Sequence, residues 1–405
     1  MILIRRYRKL CTLSRPANLT FAGADVDTAQ ISFTGVNSLE ADKKMTLVAD
    51  FGDKVGTITG TKYRISTALE GEGAASLQGS DLIFTTKTGT GGNTPKVLEQ
   101  THNVVMGMEA NMATLAAGTE HLDNVMNGLG DPANAGADGT STAVSVGGGG
   151  NRYETGSHVS TRSWNAAVGI GRKSETEKGT LEWGIFGEYG KGNYTLHSDD
   201  GDRGEGNGHY AGGGLLAKWT NKHNVYAEAS FRLGRMSDSA RDILTDGVNN
   251  YGYNVHANYY GAHVGLGKIM NYKGGKALDL YGKYFYTKRN GVSFDAGADH
   301  YDLDGVSSSL LRIGARYGST DKKWNWYGGL AFEYEFDGKS GGTVTTAGIS
   351  APIRAASIKG GSVRGEIGLR MDATKDNPWK ADISIYGYGG RHRGFGGNIS
   401  VAYTF

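Results

Sequence analysis

Residues 324–336 read WNWYGGLAFEYEF. Taken at every second position, Trp326, Gly328, Leu330, Phe332, Tyr334 and Phe336 fall on one face, and Asn325, Tyr327, Gly329, Ala331, Glu333 and Glu335 on the other. Successive side chains of a strand point to opposite sides, so this segment predicts a strand with one apolar and one polar face. Val225 to Gly234 repeats the pattern, with Val225, Ala227, Ala229, Phe231 and Leu233 opposed to Tyr226, Glu228, Ser230, Arg232 and Gly234. Val363 to Met371 sets Val363, Ile367, Leu369 and Met371 against Arg364, Glu366, Gly368 and Arg370, and Leu311 to Tyr317 behaves likewise. The chain ends the same way, with Phe395, Ile399, Val401, Tyr403 and Phe405 opposite Asn398, Ser400 and Thr404.

The same test along residues 141–405 gives about twelve strands. The intervening links sort into two kinds. Those near 173–179, 221–222, 273–275, 320–322 and 374–377 are short, whereas those near 151–156, 196–206, 237–255, 292–305, 337–356 and 391–393 are mostly long and rich in Asp, Gly and Ser. An even strand count with short turns at one end and long loops at the other is the pattern of an antiparallel barrel in the bacterial outer membrane. A solvated antiparallel sheet shares the alternation, but twelve such strands leave apolar faces in need of a second layer. In a barrel the polar faces line the lumen. They carry Glu182, Glu188, Glu228, Asp279, Glu333, Glu335, Glu366 and Asp382 against Lys218, Arg232, Lys283, Arg312, Arg316, Arg364, Arg370 and Lys380, eight of each sign. The core of a soluble sandwich could not hold these groups, because a buried unpaired charge costs several kcal/mol. Trp164, Trp183, Trp219, Trp324 and Trp326 are expected in aromatic girdles near the strand ends.

Composition narrows the field from another side. Glycine makes up 66 of the 405 residues but proline only 5, and aromatic residues stand at 10%, which is unlike a disordered chain. The formal net charge of +2 gives no electrostatic case for nucleic acid. Mean hydropathy is −0.41, and no apolar run reaches the length of a membrane helix, so a membrane form must be a closed barrel. Cys11 is the single cysteine, leaving no intramolecular disulfide or thiol-based metal site.

Ahead of the barrel, Thr94 and Pro95 read as the cap and first residue of a helix reaching about Asn127. Val97, Val104, Val105, Met108, Met112, Leu115, Leu122, Val125 and Met126 recur at helical spacing, and Gly118 is a candidate break. Such a helix would be about 50 Å long, enough to pass through an apolar band about 25 Å tall. Residues 17–92 hold short β-like runs, Leu19–Phe21, Ile31–Phe33, Met45–Phe51, Val55–Ile65 and Leu82–Thr85, which suit the last rungs of a β-solenoid. Residues 1–16, MILIRRYRKLCTLSRP, are basic without an apolar signal-peptide core and read as an atypical or non-native start.

Thr101–Met106 with Met108–Ala110, Gly147–Gly150 followed by Arg152–Val159, and Ala402–Phe405 together resemble the autotransporters of type V secretion. The resemblance implies four segments: residues 1–16, a passenger end over 17–92, a linker helix over 93–140 that stays in the pore, and a translocator barrel over 141–405. It implies outer-membrane lipid, the chain's own passenger and the barrel-assembly machinery as partners, with Tyr403 and Phe405 as the C-terminal assembly signal, in a monomer at the outer membrane with the passenger end at the cell surface. Some autotransporters cut their linker helix inside the barrel; Asn103, Asn111, Asn124 and Asn127, with Glu228 or Glu333, are the residues to consider, and their spacing selects no bond.

The lumen-facing set is read as structural rather than catalytic. Gly169–Ser174 does not satisfy the phosphate-loop spacing. The histidines show no paired zinc spacing, and Asp199–Asp202 lacks the calcium-loop pattern. No cofactor and no enzyme is expected. The competing readings are a porin-like channel, which the helix should block, and an adhesin acting through the loops near 237–255 and 337–356.

Overall fold

The computed structural model describes residues 2–6, 9–13, 30–33, 41–48, 62–79, 81–88, 92–129, 138–155, 157–198, 203–246, 249–374 and 377–405. Two helices, α1 (Gln100–Ala117) and α2 (Thr119–Leu129), are followed by twelve long strands. These are β1 (Asp138–Glu154), β2 (His158–Thr176), β3 (Gly179–His197), β4 (Arg203–Asn221), β5 (Val225–Thr245), β6 (Asn250–Tyr272), β7 (Lys276–Arg289), β8 (Val306–Ser319), β9 (Asn325–Glu335), β10 (Gly360–Met371), β11 (Trp379–Gly390) and β12 (His392–Thr404). Each pairs antiparallel with its neighbours, and β12 returns to β1 in register from His392↔Tyr153 to Thr404↔Ser141, closing the barrel. Closure leaves no unpaired edge, which is the condition for putting a sheet in hydrocarbon.

The alternation read from the sequence is the alternation of burial. Along β10, Val363, Ile367 and Leu369 are exposed while Arg364 and Glu366 are buried; along β9, Trp326, Leu330 and Phe332 are exposed while Asn325, Ala331, Glu333 and Glu335 are buried. A soluble protein would not present such a belt, since an exposed apolar patch of this extent marks an interaction surface, here lipid. Trp183, Trp219, Trp324, Trp326 and Trp379 sit toward the short-turn end, and Trp164 lies tilted against Tyr189 farther up the wall at 5.3 Å between centroids. Trp183 lies opposite Arg172 of β2. Arg172 and Trp164 are eight positions apart on that strand, roughly 27 Å at the usual strand rise, so the girdles bracket a band of the expected height once tilt is allowed for.

Two expectations for the loops need correction. The links near 196–206 and 237–255 are mostly strand: β3 and β4 leave only 198–202 between them, and β5 and β6 leave only 246–249. Above the membrane the β5–β6 ladder continues as Ser237↔His256 through Ala240↔Tyr253, slips at a bulge, and resumes at Leu244↔Tyr251. Its inner side gains partners there, for Ile243, Leu244, Tyr253 and Val255 are buried in a cluster with α1. The polar residues that read as loop are the water-facing side of a continued hairpin. The links 290–305 and 336–359 are long, and they too are folded. Val292–Ala296, Asp299–Leu303, Gly342–Thr346 and Ile349–Pro352 make one four-stranded sheet contributed by both.

Thr94 and Pro95 do not open the helix. Lys96–Val97 pairs with Leu69–Glu70 instead, and α1 begins at Gln100, with Glu99 as its N-cap and no side-chain cap bond. The strand partner at Leu69 holds these residues extended where the local signal favoured a helix. Gly118 separates α1 from α2 but itself keeps a helical conformation.

The described strands of residues 2–86 form a sheet in the order 9–13, 2–6, 30–33, 62–64, 69–78, 81–86, 44–48. Their pairings are antiparallel except Gln30–Phe33 beside Lys62–Arg64, which is parallel, where stacked solenoid rungs pair in parallel throughout. The run Leu19–Phe21 and the acidic stretch Asp199–Asp202 lie outside the described residues.

Replacing Leu330, 68% exposed on β9, with lysine places a charge in the lipid-facing band and should cost about 2–4 kcal/mol in equilibrium unfolding from bilayers. An unchanged unfolding free energy would show that this face does not meet hydrocarbon.

Candidate functional site: a helix held in the barrel lumen

Almost every residue of α1 is buried, although the helix is not uniformly apolar. It lies inside the barrel against the wall made by β2 to β5, whereas α2 lies against β1, β2 and β12. The helices approach the barrel wall closely because they carry glycine at the points of contact. A Cβ on Gly107 would sit 2.4 Å from the Tyr253 hydroxyl, one on Gly118 only 1.9 Å from the Tyr210 hydroxyl, and one on Gly128 2.8 Å from the Ala143 Cβ. Glycine within a helix ordinarily costs about 1 kcal/mol relative to alanine; here each one makes room for a wall residue.

The wall tyrosines are themselves fixed. Tyr194 and Tyr253 donate to Asp238 at 2.7 and 3.3 Å, Tyr210 donates to Asn165 at 2.9 Å, and Tyr259 donates to Glu188 at 2.8 Å. Glu188 also accepts from Arg232 at 3.2 Å. The buried Arg232 guanidinium reaches the Leu115 carbonyl at 3.3 Å and the Thr119 hydroxyl at 3.4 Å. A cation at the last carbonyls of α1 meets the negative end of its dipole, which is favourable by up to about 2 kcal/mol in partly buried geometry.

Across the lumen the contacts are ionic. Glu120, in the first turn of α2, accepts from Arg312 and, at 3.1 Å, from Arg364. Arg312 also meets Glu333 at 2.7 Å, while Arg364 and Arg316 converge on Glu366 at 2.8 Å each. One turn further on, Asp123 pairs with Lys283 at 2.9 Å, and Lys283 bridges to Glu228 at 2.6 Å, which in turn meets His263 at 3.1 Å. At the far end of α2, Lys380 donates to the Asn127 carbonyl at 2.6 Å and Lys218 to its side chain at 3.2 Å. Asp123, Glu228 and His263 are close enough to share a metal ion, but the Lys283 ammonium sits between both carboxylates. On this ionic side a small polar cavity of about 40 Å³ lies among Glu120, Asp123, Lys283 and Arg316, and a more apolar one of about 80 Å³ lies beside Ala113, Ala116 and Ala117. A vestibule of about 710 Å³ opens at the short-turn end.

Among the residues expected to line the lumen, Glu188, Glu228, Arg232, Lys283, Arg312, Arg316, Glu333, Arg364 and Glu366 join in these networks. Glu335 is buried but bonds to the Ser308 hydroxyl and the Ser309 amide, both at 2.6 Å. Asp279 accepts from Tyr226 at 3.1 Å and Asp382 from Tyr327 at 2.8 Å. Glu182 and Arg370 line the vestibule, and Arg370 pairs with Asp372 at 2.9 Å. Tyr403 packs on Trp379 at 4.8 Å and on Phe405 at 5.1 Å, and the Phe405 amide donates to the Thr140 carbonyl. The counter-charges on the helix, Glu120 and Asp123, were missed in the sequence; their i, i+3 spacing, which puts them on one helix face, was the available signal.

Residues 142–385 match the model of the autotransporter beta-domain family. The chain belongs to the autotransporters. Its fold is that of the translocator domain of the autotransporter NalP from Neisseria meningitidis, at 14% identity and a TM-score of 0.54, covering 75% of this chain and 99% of that one. The beta domain of the Bordetella autotransporter BrkA matches at 14% identity and a TM-score of 0.50, covering 66% of this chain and 99% of that one. No curated protein sequence matches this chain. This autotransporter is therefore a type V secretion translocator built as an outer-membrane barrel, and the porin-like reading falls away.

Glu120 is buried and held by two guanidinium groups. Glu120→Gln leaves Arg312 and Arg364 short of their counter-charge and should cost about 3–5 kcal/mol in the unfolding free energy of the chain in detergent micelles. A loss under about 1 kcal/mol would mean that solvent screens the site.

Proposed function

We propose that this autotransporter is poised in the state that follows export. Its helix remains in the pore, and residues 17–92 form the C-terminal end of a passenger displayed outside the cell. The observation that carries the reading is the direction of the helix. Its N-terminal Gln100 bonds to the Thr245 carbonyl at the long-loop end, and its C-terminal Asn127 meets Lys218 and Lys380 at the vestibule on the short-turn end. In outer-membrane barrels the short turns face the periplasm, so the strands preceding the helix lie on the outer side. The inward charges then have a role in transport. A wet, self-neutralised wall lets a polar chain pass without strong adhesion, and the pairs to Glu120 and Asp123 retain the last segment. Tyr403 and Phe405, aromatic and lipid-facing at the end of β12, are the residues that the barrel-assembly machinery would read. We infer a monomer, since β12 closes on β1 within one chain.

Planar-bilayer recordings test this. The full chain should conduct poorly, and a chain lacking residues 1–129 should show the conductance of a water-filled barrel. A wide open channel in the full chain would contradict the reading.

A further inference from the structure

Above the membrane the two long loops do not stand free. Their four-stranded sheet joins Asp299–Leu303 to Gly342–Thr346 at its centre, and its inner side buries Tyr301, Leu303 and Val344. What covers that side is the chain's own segment 65–69, in which every residue is buried and which lies ahead of the helix. Ser66 turns the segment by accepting from the Ala68 and Leu69 amides at 3.1 and 3.2 Å. The Thr67 hydroxyl then bonds to the Asp299 carboxylate and lies 3.1 Å from the Tyr301 hydroxyl. Asp299 is 1% exposed, and its other oxygen accepts from Thr346 of the second loop. One buried carboxylate thus ties both loops to the stem that emerges from the pore. Gln100 fastens the stem to the barrel as well, donating to the Thr67 and Thr245 carbonyls.

Below this level the lumen is ionic on one side of α2 and carries a second apolar cluster around Leu122, Val125 and Phe186 on the other, and its vestibule opens at the opposite end. The apolar cluster of Ile65, Ala68, Leu69, Tyr301 and Val344 with the start of α1 is what seals the outer mouth. Before the stem has come through, Asp299 lacks the Thr67 hydroxyl, and the apolar side of the loop sheet lacks its cover; both conditions are unfavourable. We propose that the loop sheet is a latch that closes on segment 65–69 once it has emerged, holding the stem outside and sealing the pore around it. The inference rests on the export reading above, because it needs residues 65–69 to lie on the outer side.

The test is made on the full chain in intact cells, with Cys11→Ser as background and a membrane-impermeant maleimide as probe. Ala68→Cys reports the buried stem, and Ser76→Cys, exposed on the neighbouring strand, reports whether that region is outside. With the latch closed, Ser76→Cys labels quickly and Ala68→Cys is protected. Adding Asp299→Ala should raise Ala68→Cys labelling about tenfold. Thr67→Val, which removes only the hydroxyl, should act in the same direction, whereas Asp295→Ala on the exposed edge of the same sheet should leave protection intact. Heat-modifiable migration of each variant shows that its barrel has folded. If Ala68→Cys labels as fast as Ser76→Cys in the parent, or stays protected in folded Asp299→Ala and Thr67→Val, the latch is wrong while export stands. If Ser76→Cys labels only after permeabilisation, the export reading fails and the latch with it.

Discussion

In hydrocarbon a backbone N–H or C=O without an internal partner costs several kcal/mol, so a sheet can cross a membrane only if its edges meet. Here they meet where β12 pairs with β1. Closure divides the side chains into a lipid-facing set and an enclosed set, and the enclosed set inherits the polar half of every strand. The charges on that half must then be balanced in a confined space. The wall does part of this itself, as Arg316 with Glu366 and Arg312 with Glu333 illustrate. Three of the wall cations, Arg312, Arg364 and Lys283, pair in addition with Glu120 and Asp123 of the helix. The lumen that closure creates is therefore also what holds the helix.

The two sides of the helix are held by different physics. Toward β4 and β6 the contact is steric, with glycines at 107 and 118 set against the Tyr253 and Tyr210 hydroxyls, which are oriented by Asp238 and Asn165. Toward β7 to β10 it is electrostatic. Steric contact fixes where the helix sits and how far it has advanced. The ion pairs hold it there, since breaking one leaves a buried charge without its counter-charge.

Much of this was legible in the sequence because the strand period is short and one face of each strand meets hydrocarbon. The alternation in 324–336 and 363–371 places strands, faces and inward charges directly. What escaped reading depends on partners distant in sequence. The hairpin of β5 and β6 rises beyond the membrane because Ile243 and Tyr253 pack on a helix more than a hundred residues earlier. Thr94 and Pro95 carry a sound local helix signal that is overridden by pairing between Lys96–Val97 and Leu69–Glu70. The loop sheet is rich in Asp, Gly and Ser and reads as loop, because what buries its inner side is segment 65–69, more than two hundred residues earlier.

The central claim is that the alternate residues of each strand face lipid and lumen. Spin labels placed singly at positions 363–371 of β10 measure it most directly, by comparing collision with oxygen dissolved in the bilayer against collision with a water-soluble relaxation agent. The account predicts strong oxygen broadening at 363, 365, 367 and 369 and weak broadening at 364, 366 and 368, with a period of two. A flat profile, or the opposite phase with labels at 364 and 366 in lipid, would contradict it.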